Sequence, residues 1–461
     1  MRIGWVSPLP PQQTGIADYS AELLPYLAPL AAVEAFTAPA AVAPAAARLG
    51  LEVRPYRELA RRAAALDAVV YHLGNSAPFH QAIWRLLQEV PGVVVLHEYL
   101  CHHLVREITL VRGDVEGYVE ELRYAYGDTG VAVARRFLDG GVPVDPWSFP
   151  LFERAVDQAT TVVTHNRTTR ERVLASRPTA AVTVIPHLFD PRLLPAGLDR
   201  AAARRTLGLP EEAPLLGTFG HVTPAKRMDV TLHAFARLRQ EQPAARLLVV
   251  GEVSPHYDLD ALLGQGLRQG VELIGRTELD QLFRYMAAVD VAVNLRHPSG
   301  GETSGTFMRL LGMGQAVVVS DVGSFAETPD GCCAKVPVDA FEEETLLATL
   351  SLLVARPDLR RAMGESARRH MHARHRPQDA AAAYLAVCRR AAAEGRREPL
   401  RPVPPLAPFP PSDVATRLVQ AASAALADLG VGEGDDEVPR ALAETLVDLD
   451  LDGGWRREGE R

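Results

Sequence analysis

The sequence is poor in cysteine, and the few thiols that it has do not mark a metal or disulfide site. The four cysteines of the 461 residues are Cys101, Cys332, Cys333 and Cys388. Their spacing matches neither a zinc motif nor the framework of a small secreted domain, and two adjacent cysteines rarely bridge each other. We therefore expect reduced, structural cysteines and no bound metal.

Long runs of basic or of apolar residues are also lacking. The formal net charge is −8 with both signs mixed, which makes nucleic acid an improbable partner class. No apolar segment reaches the roughly 18–20 uncharged residues of a membrane-spanning helix, and the first residues read as a strand, not as a leader. We expect a cytoplasmic protein without a transmembrane segment, and a peripheral contact with a membrane surface stays open.

What the sequence does have is a repeated alternation of apolar strands and helices. Hydrophobic residues make up 47% of the chain, and its length predicts two or three domains. The predicted strands are Arg2–Ser7, Ala31–Phe36, Asp67–Leu73, Gly92–Leu96, Thr161–Thr164 and Val182–Ile185 in the first half, and Leu215–Phe219, Arg246–Gly251, Val271–Ile274, Val291–Leu295 and Ala316–Ser320 in the second. Continuous apolar strands separated by helices predict parallel sheets covered on both faces. The fold class is therefore α/β, with two Rossmann-like, doubly wound domains.

Proline and glycine mark the boundaries between these units. Pro191, Pro195 and Gly197 cluster at the end of the first half, where they favour a connection over a helix or strand. We predict an N-terminal domain over 1–192, a C-terminal domain over 193–376 and a helix over 377–397 that returns to the first domain. The segment 398–412 is too rich in proline for regular structure and is predicted to be a linker. An acidic tail over 413–461 contains two short amphipathic patterns of unassigned role.

A glycine-rich loop in the second half precedes a helix in a way that suits a phosphate group. Gly300–Gly305 follows a predicted strand, and a helix begins at about Thr306. The first amides of a helix have no intrahelical partner, and the helix dipole adds partial positive charge there. The alternative is a simple helix cap formed by Ser304 or Thr303. Glu302 stands where a carboxylate could accept hydrogen bonds from sugar or ribose hydroxyls.

Two cations follow a glycine loop at the end of another predicted strand. Gly220 precedes Lys226 and Arg227 within GTFGHVTPAKRMD. Two cations beside a backbone nest suit a diphosphate, because its charge is costly to desolvate without partners. The alternative is a solvated pair at a helix start, but cations there oppose the helix dipole and need another reason to be present.

The first half offers a second group of polar residues at predicted strand ends. These residues are Gly15, Gly74, Asn75, His97 and Glu98. Ligands of open α/β sheets bind outside the carboxyl ends of the strands, so we predict an acceptor side here with His97 as its main residue. A plain turn is the alternative for Gly74 and Asn75. A metal at His97 with the histidines 102 and 103 is disfavoured, because no carboxylate completes the set.

Several separated motifs occur together in one order along the chain. They are PPQQTGIADYS, YHLGNSAPFH, VVVLHEYLCHH, VVTHNRTTRERV and VIPHLFDP in the first half, and FGHVTPAKRMDVTLHAF, LLVVGE, VELIGRTELDQLFRYMAAVDVAVNLR and GETSGT with GMGQAVVVSDVGSFAE in the second. Through them the chain resembles the retaining nucleotide-sugar glycosyltransferases of the GT-B fold, specifically glycosyltransferase family 4. The resemblance covers about residues 1–390.

The resemblance implies that a sugar moves from a nucleoside diphosphate sugar to an acceptor hydroxyl at a cleft between the two domains. The acceptor would be a glycan, a lipid or a small molecule, the anomeric configuration would be retained, and no metal or other cofactor would be needed. Matched residue by residue, it implies catalytic or donor-binding roles for Lys226, Arg227 and Glu302, phosphate contacts for Gly220, Ser304, Gly305 and Thr306, a backing role for Gly15, base contacts for Ile274 and Gly275, and a place near the transferred sugar for His97.

One position departs from the family pattern. A second acidic residue that binds ribose is expected eight positions after Glu302, where this sequence has Leu310; aligned on Gly314, the equivalent residue is Arg309. The ribose contact is thus unassigned, and Arg309 is open to a role at a phosphate or at the acceptor. Rival functions are a non-catalytic sugar-nucleotide-binding partner and a GT-B epimerase or hydrolase. A dinucleotide-dependent dehydrogenase is weaker, because no GxGxxG follows either first strand.

Overall fold

A computed structural model describes residues 1–255 and 257–394, and within them two parallel sheets form. The strands are β1 (Arg2–Val6), β2 (Ala32–Thr37), β3 (Glu52–Pro55), β4 (Ala68–Leu73), β5 (Gly92–Leu96), β6 (Ala159–Thr164), β7 (Val182–Val184), β8 (Leu215–Phe219), β9 (Arg246–Val250), β10 (Val271–Gly275), β11 (Val291–Asn294), β12 (Val317–Ser320) and β13 (Ala334–Val336). The first sheet has the order β3-β2-β1-β4-β5-β6-β7, and the second has β10-β9-β8-β11-β12-β13. This doubly wound pair confirms the predicted fold class.

Helices cover both faces of each sheet, as strands that are apolar on both sides require. They are α1 (Gly15–Leu27), α2 (Val42–Leu49), α3 (Leu59–Arg62), α4 (Ala77–Glu89), α5 (His102–Ile108), α6 (Val115–Leu138), α7 (Glu153–Gln158), α8 (Arg167–Ser176), α9 (Arg200–Leu207), α10 (Met228–Glu241), α11 (Leu259–Leu262), α12 (Leu279–Ala288), α13 (Gly305–Met313), α14 (Gly323–Ala326), α15 (Glu342–Ala355), α16 (Pro357–Arg374) and α17 (Pro377–Glu394). In β5, Val93 and Val95 pack in one core and Val94 and Leu96 in the other, so this strand is buried from both sides.

The chain passes from the first sheet to the second between β7 and β8, and it crosses back at its described end. Helix α17 packs against α1 and against β4, β5 and β6, and Tyr384 and Cys388 of this helix belong to a core of the first sheet. The predicted domain boundary after residue 192 lies in the connection between β7 and β8. The last residues of the predicted return helix, the proline-rich segment 398–412 and the acidic tail 413–461 lie outside the described residues.

The main differences from the predicted elements are short edge strands and one shortened helix. β3 is half exposed and ends in a proline, and β13 has three residues, so neither gives the continuous apolar run that marks a buried strand. The short polar helix α9 was also not expected. A helix predicted over 258–269 is wrong in its second half: α11 ends at Leu262 and a π-helical turn follows, in which Gly266 has a φ of +87°. Gly127 interrupts α6, because its φ of 59° and ψ of −140° are not helical.

Candidate functional site

A buried lysine lies where β8 and β11 end. Lys226 belongs to a single turn of 3-10 helix, and only 5% of its surface is exposed. Its ammonium Nζ donates to the carbonyl oxygen of Phe219 at 2.8 Å and to Oδ1 of Asn294 at 3.1 Å. Both acceptors are neutral, and among the described residues no carboxylate forms an ion pair with this ammonium. The site therefore holds a cation without its counter-ion.

The electrostatic surroundings of Lys226 make that cation costly in the ligand-free protein. Burial lowers the pKa of Lys226 well below its ordinary value; Arg296 lowers the pKa further, whereas Glu302 raises it. Asn294 presents a second unused donor, since its buried Nδ2 has no hydrogen-bond partner in the described part of the chain. Buried donors without partners are unfavourable, and an anion placed here would satisfy both and stabilise the charged lysine.

The first turn of α13 opens beside this lysine. A Cβ placed on Gly220 would lie 3.7 Å from Lys226 Nζ and 3.4 Å from the methyl carbon of Thr306. Ser304 caps the helix by accepting from the amide of Phe307 at 3.3 Å, and its hydroxyl is 3.0 Å from that of Thr306. The cap that the sequence offered as an alternative is therefore present. It does not compete with the phosphate prediction, because the amides of Gly305 and Thr306 still have no intrahelical partner.

Glu302 is engaged in the ligand-free site. Its Oε1 is 2.9 Å from the guanidinium Nε of Arg296, and its Oε2 accepts from the amide of Gly300 at 2.8 Å. The backbone carbonyl of Glu302 accepts from the Ser324 hydroxyl at 2.7 Å. These contacts fix the carboxylate near the mouth of the lysine pocket, so a ligand that hydrogen-bonds to it must share it with Arg296.

Arg227 does not join the cluster that the sequence predicted for it. Its guanidinium forms an ion pair with Glu342, the first residue of α15, and lies 3.6 Å from Asp229. The acidic partner explains how a cation is accommodated at the start of α10, where the dipole disfavours it. In the ligand-free protein Arg227 is thus engaged by acidic partners, whereas Lys226 lies beside Gly220; a shared grip of both cations on one diphosphate stays a prediction.

Helix α13 of the second domain contacts helix α1 of the first. Arg309 forms an ion pair with Glu22 of α1, and both side chains are nearly buried. The buried Nε of Arg309 has no hydrogen-bond partner in the described residues, and a Cβ on Gly305 would lie 3.3 Å from its NH1. Arg309 thus borders the first turn of α13. Gly15 begins α1, two helical turns before Glu22.

The loop before α13 is bound to the first domain. The Tyr99 hydroxyl donates to the carbonyl of Ser299 at 2.8 Å, while Asn166 Nδ2 and the Thr169 hydroxyl each donate to the carbonyl of Gly301 at 2.8 Å. Gly301 has a φ of +79°, and a Cβ on it would meet Thr169 Oγ1 and Tyr99 Cδ1 at 2.5 Å. Only glycine fits this interdomain contact. The carboxyl ends of both sheets therefore face each other with the loop between them.

The candidate acceptor side forms a connected group. The amide of Asn75 donates to Oε1 of Glu98 at 3.2 Å, and Asn75 Oδ1 accepts from the amide of Leu104 in the first turn of α5 at 3.0 Å. A Cβ on Gly74 would lie 2.7 Å from the terminal methyl of Ile16 and 3.0 Å from His80 Nε2, so a side chain there would require these two to move. Burial, followed by the charge of Glu302, raises the pKa of Glu98 to about 8. Asn75 is thus partly structural, and Glu98 is protonated near neutral pH.

His97 is half-buried at the same edge and contacts other imidazoles. Its Nε2 lies 2.9 Å from Nδ1 of His72. Burial lowers the pKa of His97 well below its ordinary value, and His165, His72 and His187 lower it further. His97 is therefore neutral in the ligand-free protein and can serve as a hydrogen-bond donor or acceptor, but not as a cation.

The remaining residues at the strand ends do not belong to either of these clusters. Ile274 and Gly275 end the edge strand β10 and are half-buried, with a φ of +74° at Gly275. Glu327 caps α8 across the interface by accepting from the amides of Arg167 and Thr168 at 2.9 and 2.7 Å. The sequence did not single out Asn294, although a polar residue ending an apolar strand is a readable signal.

Three further findings concern the surroundings of the site. A cavity of about 1070 Å³, lined among others by Arg200, Asp290 and Arg360, lies at the amino edge of the second sheet, away from Lys226. Within the described ranges, no three His, Cys, Asp or Glu side chains are grouped to hold a metal ion. None of the helices described is long and apolar enough to span a bilayer, and all four cysteines are free, as predicted.

Known structures define the class to which this fold belongs. HepE of Anabaena, solved with UDP and glucose, is 16% identical and aligns over 85% of this chain and 100% of its own, with a TM-score of 0.60. Sucrose-phosphate synthase from Thermosynechococcus elongatus is 17% identical and aligns over 86% of this chain and 100% of its own, with a TM-score of 0.61. At this identity the likeness concerns the fold alone, and the fold is that of the GT-B proteins.

The family follows from sequence comparison. The sequence model described as "Glycosyl transferases group 1" matches residues 213–354, so the second half of the chain is similar to that family. A D-inositol 3-phosphate glycosyltransferase of Segniliparus rotundus is 31% identical over 229 residues, which are 48% of this chain and 50% of the relative. The chain spans about half the length of the first curated relatives that it matches. These matches confirm the resemblance found in the motifs.

Proposed function

We propose that the protein is a retaining glycosyltransferase that moves a sugar from a nucleoside diphosphate sugar to an acceptor hydroxyl without a metal ion. One observation carries the proposal: a buried lysine, for which no described carboxylate is a partner, lies beside the free amides of α13 and the Nδ2 of Asn294, to which no described residue bonds. This combination suits a diphosphate, because it offers point charge and directed donors in a desolvated pocket. The family of the second domain supports a nucleotide sugar as the ligand.

The reaction that this site suits is a front-face displacement. The bond between the anomeric carbon and the phosphate oxygen breaks, the acceptor oxygen bonds to the same face of that carbon, and the acceptor's proton passes to the departing phosphate oxygen. Lys226 and the amides of Gly305 and Thr306 stabilise the charge that develops on the diphosphate. Glu302, held in place by Arg296, accepts hydrogen bonds from hydroxyls of the sugar. No side chain needs to act as a nucleophile, and Gly15 faces the donor from the first domain.

The acceptor occupies the first-domain edge in this proposal. Gly74, Asn75, His97 and Glu98 border it, and the neutral character of the last two suits an uncharged hydroxyl better than a cationic group. Two of the relatives are D-inositol 3-phosphate glycosyltransferases, so inositol phosphates are the first acceptors to test. A cytoplasmic location, with or without contact with a membrane surface, belongs to the same proposal.

The test is release of nucleoside diphosphate from UDP-, GDP- and ADP-sugars, with and without acceptors, in buffer containing EDTA. We expect one donor to be consumed only when an acceptor is present, a glycosylated product by mass spectrometry, and retained configuration at its anomeric carbon by NMR. Equal consumption without acceptor would favour a hydrolase or epimerase. Tight donor binding with no turnover for any acceptor would favour the non-catalytic partner. The replacement of the second acidic residue by Arg309 is the observation that favours this alternative.

A further inference from the structure

Four imidazoles gather beneath the first-domain edge, and we call them the histidine nest. They are His72, His97, His165 and His187, and their rings surround that of Tyr19. Neighbouring ring centroids in the nest are 4.8–5.6 Å apart. Three of these side chains are buried, and His97 alone is half-buried at the cleft. Of the four, His97 is therefore the one that a ligand in the cleft can contact.

The protons of two members are fixed by backbone carbonyls. Nδ1 of His165 is 2.9 Å from the carbonyl oxygen of Ile185, and Nδ1 of His187 is 2.8 Å from that of Leu188. A carbonyl only accepts, so both rings carry their proton on Nδ1. Their Nε2 atoms are bare and cannot donate to His97. The protonation of His97 is thus set by its remaining contact, His72.

His72 and His97 share a single proton between the nitrogens that face each other. His72 Nδ1 is 2.9 Å from His97 Nε2, and His72 is fully buried with its own Nε2 unpartnered in the described residues. If His97 were the donor, His72 would carry its proton on that buried Nε2 with no acceptor. Orphaned buried N–H groups are rarer than bare acceptors. The arrangement with the lower cost places the proton on His72 Nδ1, which donates to His97.

A hydrogen bond accepted at Nε2 determines the state of His97. A neutral imidazole with a bare Nε2 carries its hydrogen on Nδ1, and no described residue bonds to Nδ1 of His97. We propose that His72 is a positioning residue that holds His97 in its Nδ1–H tautomer, so that His97 presents a donor to an oxygen of the substrate. This inference deepens the proposed transferase function and rests on it for the identity of that oxygen as a sugar or acceptor hydroxyl.

Packing alone does not account for a histidine at position 72. The ring lies between Trp5 at 4.3 Å and Tyr384 at 6.2 Å between centroids, where an apolar ring would fill the space without leaving a buried nitrogen unsatisfied. An unsatisfied buried polar group is unfavourable. A functional need to orient His97 would explain why a histidine occupies position 72 despite this cost. A donor at His97 also cannot take the acceptor's proton, which agrees with transfer of that proton to the leaving phosphate.

The direct test is the ¹⁵N spectrum of imidazole-labelled protein, with the resonances of His72 and His97 assigned by substitution. We expect a protonated Nδ1 and a bare Nε2 on both rings between pH 7 and 8. A protonated Nε2 on His97 would overturn the inference. Because the measurement uses the free protein, it gives its answer whether or not sugar transfer is ever observed, and a failed transferase assay leaves the tautomer result standing.

Kinetics of substituted proteins provide the second test. His72→Leu removes the donor, whereas His72→Asn returns an N–H close to the position of Nδ1. With the donor and acceptor found in the turnover screen, we expect His72→Leu to lower kcat about 10- to 100-fold with donor KM nearly unchanged, and His72→Asn to recover most of it. Tyr384→Phe is the matched control, since it deletes a buried hydroxyl that contacts Tyr19 at 3.0 Å but not His97. Equal losses in all three variants would indicate a structural role and contradict the inference.

Discussion

The two facing sheet edges differ in the kind of polarity that they bury. The second-domain edge holds the buried amine of Lys226, which pairs with no carboxylate in the described part of the chain, together with free helix amides and the Nδ2 of Asn294. The first-domain edge holds neutral imidazoles and Glu98, whose pKa is raised to about 8. One edge is therefore prepared for charge, and the other offers hydrogen bonds without charge. A donor that carries a diphosphate and an acceptor that carries a hydroxyl would need this division.

The strongest way to break this contrast is to remove the cation. We expect Lys226→Met to lower turnover by about 10²–10³-fold, in the range found when one preorganised donor to a developing anion is lost. Steady-state release of nucleoside diphosphate measures it. Lys335→Met provides the control, because this second lysine contacts Asp330 and the carbonyl of Ala326 on another part of the domain. Turnover of the Lys226 variant within a few-fold of wild type would remove the basis of the proposed function.

Removing the main neutral donor should separate the two edges. His97→Ala is expected to reduce turnover by about 10–100-fold and to leave nucleoside diphosphate affinity within about twofold, because the loss concerns only the reacting end of the substrate. Isothermal titration and initial rates together give both numbers. The control is His103→Ala, an exposed histidine that follows the same strand. A comparable loss of nucleotide affinity in the His97 variant would show that the edges do not divide the substrate as proposed.

The histidine nest should make the fold sensitive to acid. Burial lowers the pKa of His165 to about 4, while its backbone bond raises it slightly. The unfolded chain therefore binds a proton from about pH 6.5 downward and the folded chain does not, so stability falls as pH drops from 7 toward 4. From pH 7 to pH 5, we expect this single imidazole to cost on the order of 1–2 kcal/mol of unfolding free energy.

Urea titrations at pH 7 and pH 5 measure that cost. His165→Gln should lose part of the pH dependence, whereas the exposed His233→Gln should keep the wild-type dependence. If wild type and the His165 variant respond to acid equally, the nest is not held in its neutral form by burial.

The smallest effect should come from the interdomain cap. Glu327→Ala removes the acceptor for the first amides of α8, and the loss of a helix cap costs about 0.5–2 kcal/mol, with exposed sites at the low end. The Thr168 hydroxyl also donates to Glu327 at 2.8 Å, so a double-mutant cycle with Thr168→Ala, followed by thermal melts, measures this side-chain contact across the interface. Additive effects of the two substitutions would argue that Glu327 does not bridge the domains in solution.

Local signals were sufficient to predict most of the fold. Runs such as Gly92–Leu96 are apolar on both faces, and parallel strands buried between helices are the structure that such runs specify. Edge strands escape this reasoning, because β3 and β13 are short and half exposed, so neither has the continuous apolar run that marks a buried strand. The same limit applies to the end of α11, where a glycine with positive φ overrides a helical pattern.

The site could be predicted only as far as it depends on strand ends. Lys226 was found by its position after a glycine loop, and a further signal is that it is one of only two lysines among 49 basic residues. The direction of Arg227 was not predictable, since its partner Glu342 is 115 positions away. Glu22 and Arg309, 287 positions apart, meet only because the domains face each other. Tertiary partners, not residue type, decide which of two adjacent cations faces the cleft.

The most direct measurement is the change in melting temperature of wild type, Lys226→Met and Lys335→Met as nucleoside diphosphates are added. A ligand that binds only the folded state stabilises it by RT ln(1 + [L]/Kd), about 2.7 kcal/mol at one hundred times Kd. We expect UDP, GDP or ADP to raise the melting temperature of wild type and of the Lys335 variant in a concentration-dependent way, and to have no effect on the Lys226 variant. Equal stabilisation of all three proteins would contradict the account.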